Sequence, residues 1–257
     1  MQSWIFRSAL VALLLTLLQG CVSSGGPKKV KVDKQKALET HIQLGVSYIR
    51  NKNLDLARHH FNKAYAIDPN APGAHNGRAL LYQLEGEPKL AEEHFKKALK
   101  SDANYTVARN NYGGYLYQQK RFQEAYNEFD RVSRDLDYPR RSVALLSLGR
   151  TALKLKRVDR AQAALAQALV LQPRLGAAMA ELAQIHFDKG EYAESQQYLS
   201  DFSEISRQSA RTLWLGIQIE RIFKNPDKEA SYAMALKNMH PYSKELLEYQ
   251  RSLKTDQ

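Results

Sequence analysis

Apolar residues along positions 38–241 recur in steps of three and four, and that pattern itself repeats every 34 residues. Gly45, Ala79 and Gly113 stand 34 apart, as do Ala57, Ala91 and Ala125, and Phe61, Phe95 and Phe129. Tyr48, Tyr82 and Leu116 keep the interval, and so do Ala64, Ala98 and Val132. After a two-residue insertion near Tyr138-Pro139 the columns resume at Gly149, Ala161, Leu165 and Ala168. They weaken through Leu182-Ala183, Ser195, Leu199 and Phe202, and a last copy starts at Leu215-Gly216 and takes in Tyr232 and Ala235. Each period predicts two antiparallel helices. The Gly/Ala columns are small because the two helices must approach closely, and the Tyr and Phe columns supply the bulk between them. Asp68-Pro69 and Gln172-Pro173 end second helices, since proline disfavours helix in the residue before it. Lys52-Asn53, Glu85-Gly86-Glu87-Pro88 and Lys189-Gly190 mark the turns inside pairs. No β-type alternation of comparable length occurs. The prediction is an all-α chain of six helix pairs, near 38–71, 72–105, 106–139, 142–175, 176–208 and 209–241. A short helix over about 243–253 caps the stack, because a terminal repeat would otherwise expose its apolar face.

Ahead of the repeats the pattern changes. Arg7 precedes a leucine-rich run, Ser8–Leu18, which is too short to span a bilayer and suits the apolar region of a secretory signal. Leu18-Gln19-Gly20-Cys21 follows, and Cys21 is the sole cysteine. That arrangement resembles the lipobox of bacterial lipoproteins. It implies cleavage after residue 20 and acylation of Cys21, and Val22 behind it implies sorting to the outer membrane. Residues 22–36 hold Ser, Gly, Pro and five lysines without apolar period. They read, within a segment 21–37, as a tether averaging roughly 20 Å end to end.

Composition narrows the function. The formal charge is +11, and removing residues 1–20 leaves +10. Basic and acidic residues interleave, and no aromatic-plus-basic module appears, which argues against nucleic acid. No nucleophile–base pair, phosphate loop or metal-ligand cluster is visible, so no enzyme, cofactor, metal or small-molecule substrate is expected. His59, His60 and His94 fall on outer positions of second helices and read as solvated.

The columns resemble the tetratricopeptide repeat, which implies a right-handed superhelical solenoid whose first helices line a concave groove. Groove positions in repeats two to four are then Asn76, Leu80, Gln83, Asn110, Gly114, Tyr117, Gln118, Leu146, Arg150 and Leu153. Asn110 can offer both a donor and an acceptor to a bound chain. Gly114 either leaves room for a partner or relieves crowding between repeats. Asn111 and Tyr112 are expected to pack against neighbouring helices. Ile42, Val46, Asn76 and Leu80 do not form the basic clamp that grips a terminal carboxylate, so the groove suits a peptide or helix lying along it.

The lipobox, six repeats, the run RNNYGGYLYQQ, the inserted YPRR, and the late TLWLGIQI and HPYSKELLEY together resemble the type IV pilus biogenesis/stability lipoprotein family (PilF/PilW). The resemblance implies a pilotin that helps the pilus secretin reach the outer membrane and assemble there. Expected partners are the secretin subunit and, through acylated Cys21, the outer-membrane lipid. The alternative is a general envelope adaptor for peptidoglycan or outer-membrane assembly enzymes. Lys228 stands where the sixth repeat should have its small residue.

Overall fold

A computed structural model describes residues 33–255. The segment read as a secretory signal, Cys21 and nearly all of the segment read as a tether lie outside the described residues. Thirteen helices and no strand occur among those that are described. They pair as expected: α1 Lys34–Arg50 with α2 Leu54–Ile67, α3 Pro72–Leu84 with α4 Pro88–Ser101, and α5 Thr106–Gln118 with α6 Phe122–Ser133. Then come α7 Arg141–Lys154 with α8 Val158–Leu171, α9 Gly176–Asp188 with α10 Tyr192–Ile205, and α11 Ala210–Ile222 with α12 Pro226–Met239. The last helix is α13, Lys244–Thr255. The first helix starts at Lys34, within the segment assigned to the tether.

Helix ends follow local chemistry. Proline opens α3, α4 and α12, where its missing N–H is no loss. Asn53 and Asn225 cap α2 and α12 through their side-chain oxygens, and Ser209 with Thr212 forms a reciprocal cap on α11. Every within-pair turn carries one residue of positive φ: Lys52, Gly86, Lys120, Lys156, Gly190 and Lys224. Their spacings of 34, 34, 36, 34 and 34 residues follow from these positions and mark the repeat register independently of side chains.

The small columns are small for the reason predicted. A Cβ on Gly113 would stand 2.9 Å from the Phe129 ring, and one on Gly149 would stand 2.7 Å from Leu165. Phe61 is enclosed between Gly45 of its own repeat and Gly77 of the next. Phe61 and Phe95 are fully buried and Phe129 nearly so, and each contributes roughly 2–3 kcal/mol by burial.

The sixth repeat differs from the sequence alignment by one residue. The positive-φ turn places Ile217 in the Gly/Ala column, Ala233 in the Phe column and Glu229, rather than Lys228, in the alanine column. Large and small have changed places, so matching glycine to glycine moves the alignment by one. Glu229 is held by Arg221, whose Nε donates to it at 2.6 Å. Helix α13 closes this end: Leu246 is buried with Leu213, Ile217, Ala233 and Leu236. Arg221 also donates to Ser252 and lies over the Tyr249 ring. Among the described residues, no helix is long and apolar enough to cross a membrane.

Candidate protein-binding face

The predicted groove residues sit on α3, α5 and α7, and the structure sorts them into two groups. Asn76 is only 3% exposed and accepts a 3.0 Å hydrogen bond from Asn111 Nδ2, so these amides join the first helices of repeats two and three. Leu146 is buried in the main core, and Leu80, Tyr117 and Leu153 are half-buried against it. Gln118 and Arg150 are exposed, while Gln83, Asn110 and Gly114 are half-buried.

Polar bridges run from one first helix to the next. Gln83 Nε2 donates to Gln118 Oε1 at 2.7 Å. Arg150 Nε and Arg211 Nη2 both donate to Glu181, one to each carboxylate oxygen at 3.1 Å, which links repeats four, five and six. Glu181 and Arg211 were not among the predicted groove residues. Their signal in the sequence is the spacing of about one repeat between Arg150, Glu181 and Arg211.

Within this face one patch is open. A Cβ built on Gly114 meets nothing within 4 Å. Its φ is not positive, so neither packing nor backbone angle demands glycine there. In a helix interior it costs up to about 1 kcal/mol relative to alanine. Gly114 therefore does not relieve crowding between repeats. One turn earlier, the Asn110 side chain makes no intramolecular hydrogen bond among the described residues. One turn later, Tyr117 packs edge-on against Phe122 at 5.3 Å. The patch combines bare helical backbone, a free amide and an aromatic edge, which can accept another chain by close approach and hydrogen bonding.

His59 is exposed as expected, but His60 and His94 depart from expectation. His94 is buried, and its Nδ1 lies 3.1 Å from Nδ1 of His75, which is buried too. His41 and His60 form the same contact at 3.0 Å one repeat earlier. Each pair spans the two helices of a repeat, 19 residues apart, where one ring donates N–H to the other. Burial holds all four below the ordinary histidine range, His94 at about 4, and neighbouring cations Lys63, Arg78 and Lys97 push the same way. These rings are packing pairs, not a solvated face.

Matches to the tetratricopeptide repeat family cover residues 38–71, 76–137 and 146–207. The type IV pilus assembly protein PilF of Pseudomonas aeruginosa is 39% identical over 246 residues, which are 95% of this chain and 98% of that protein. This chain belongs to the PilF/PilW family. A solved structure from the functional characterisation of P. aeruginosa PilF superposes with a TM-score of 0.81 at 37% identity, covering 85% of this chain and 99% of that one. PilW, described as a widely conserved type IV pilus biogenesis factor, superposes with a TM-score of 0.72 at 28% identity, covering 84% and 99%. The solenoid of a PilF/PilW protein is thus built here from six helix pairs and a closing helix. Its part in pilus biogenesis is that of a repeat scaffold that mediates protein–protein interaction.

Proposed function

We propose that the chain is a pilotin: an outer-membrane lipoprotein, acylated at Cys21 and facing the periplasm, that binds the type IV pilus secretin subunit and promotes its localisation and multimerisation. The observation that carries this reading is similarity to a type IV pilus assembly protein along nearly the whole of both chains. The leader-like run ending at Cys21 supports the anchor, since more than one acyl chain is needed for stable attachment. The open patch at Asn110, Gly114 and Tyr117 is the face assigned to the secretin, with Leu80, Gln83, Gln118 and Arg150 around it. Asn76 and Leu146 hold those helices in place from beneath.

The test is affinity capture of the tagged chain from cells that make the secretin, set beside membrane fractionation of wild type and Cys21→Ser. Secretin should co-purify, and Cys21→Ser should leave the outer-membrane fraction while keeping its melting temperature. Capture without secretin, or a Cys21→Ser protein that still fractionates with outer membrane, would contradict the proposal.

A further inference from the structure

A cleft of about 740 Å³ opens between α10 and α12, the second helices of repeats five and six, away from the first-helix face. Small side chains leave it open: Ser200, Ser203 and Ser206 on one wall, Ser231 and Ala235 on the other. Its floor carries Glu220, only 2% exposed. Glu220 occupies the column that holds Tyr48, Tyr82, Leu116 and Ala152 in repeats one to four. A carboxylate has replaced a packing residue at a buried position.

That carboxylate is half satisfied. Gln196 Nε2 donates to Oε1 at 2.8 Å, while Oε2 has no hydrogen-bond partner. Gln208 Oε1, in the same cleft, is also buried without one. The hydroxyls of Ser203 and Ser231 donate to backbone carbonyls of their own helices, which leaves their oxygens only acceptor capacity. Tyr232 adds a ring wall close enough to Glu220 that the carboxylate, after burial, helps raise its phenol. The two buried side-chain atoms without a partner among the described residues, Glu220 Oε2 and Gln208 Oε1, are thus both acceptors. A buried carboxylate left unpaired is costly, and a guanidinium, with five donors and a flat face, suits acceptors beside an aromatic ring. At the mouth the sign reverses, because Arg207 and Lys228 are exposed there without an ion pair among the described residues.

We infer that this cleft binds an arginine side chain of a partner polypeptide, with the guanidinium on Glu220 and an adjacent acidic residue meeting Arg207 and Lys228. The site is separate from the face assigned to the secretin and does not depend on that assignment. It gives the scaffold a second contact, selective for an arginine flanked by a carboxylate. Free arginine shares that chemistry, so the experiment must separate the two sources.

The experiment is calorimetric titration of the full chain with the blocked peptide Ac-Asp-Arg-Asp-amide, its citrulline counterpart and L-arginine, repeated on Glu220→Gln. Glu220→Gln keeps the size and the acceptor for Gln196. The arginine peptide should bind with Kd on the order of 1 mM or tighter, and citrulline or Glu220→Gln should weaken it about tenfold or more. The melting temperature of Glu220→Gln should stay level or rise, because an unpaired buried charge is removed. Equal binding of the citrulline peptide, undiminished binding to Glu220→Gln, or no binding of the arginine peptide would overturn the inference. L-arginine binding as tightly as the peptide would overturn the polypeptide assignment. A lower melting temperature for Glu220→Gln would make the carboxylate a structural group and overturn the site.

Discussion

Repeats one and two and repeats five and six solve the same packing problem with opposite chemistry. In the first two, the pair facing across the helices is His41 with His60 and His75 with His94. The third repeat has an ion pair there, Arg109 with Glu128 at 2.6 Å, and the register then gives Leu145 with Ala164, Met179 with Tyr198 and Leu213 with Tyr232. The close-approach column reverses as well. Early repeats put glycine or alanine on the first helix against phenylalanine on the second, and the sixth puts Ile217 against Ala233. A helix pair asks for a conserved sum of volumes and satisfied polar groups, not for particular residues. The exchange leaves the fold alone and changes how each end responds to perturbation.

The largest effect should come from emptying the shared column. Phe95→Ala should cost roughly 3–5 kcal/mol through a cavity, and Ile217→Ala should cost nearly as much, because Ile217 is the bulky partner at its end. Urea titration of each variant checks this, and a cheap Ile217→Ala would break the proposed reversal. Next comes overpacking: Gly113→Leu should destabilise by roughly 1–3 kcal/mol, since its side chain would enter the space of Phe129.

Acid should then separate the two ends. The folded-state pKa of the paired histidines lies below the unfolded value of 6.5, with His94 at about 4. The unfolded chain therefore binds more protons on acidification. The full stability is present above about pH 6.5 and falls as pH drops toward 4, by on the order of 2 kcal/mol. Hydrogen exchange should show protection lost in α1–α4 while α7–α10 hold. Replacing His75 with Leu and His94 with Ala, the pair that repeat four uses, should flatten the response of repeat two. Equal acid sensitivity at both ends would refute the histidine account.

The repeat scaffold was legible because its columns are local and periodic: Gly113, Phe129 and their relatives announce themselves at 34-residue spacing. The histidine pairs were not, since His59 and His60 draw attention as sequence neighbours while the ring that meets His60 is His41 on the preceding helix. The sixth register was hidden by the exchange of large and small residues. The candidate face was legible only in part. The resemblance to the tetratricopeptide repeat pointed to Asn110, Gly114 and Tyr117, but which amide would be consumed internally depends on tertiary reach. Asn76 turned inward to Asn111, and Asn110 did not.

The smallest expected change in stability lies at the central claim, that the first-helix face around Gly114 receives the secretin. Gly114→Ala should raise stability by up to about 1 kcal/mol, because it removes a helix-interior glycine and meets nothing. Gly114→Leu should also stay folded while filling the patch. The direct measurement is secretin multimer on a gel from cells carrying Gly114→Leu, beside the melting temperature of the purified protein. A native melting temperature with multimers sharply reduced is expected. Normal multimers from a folded Gly114→Leu protein would contradict the claim and move the secretin contact to another face.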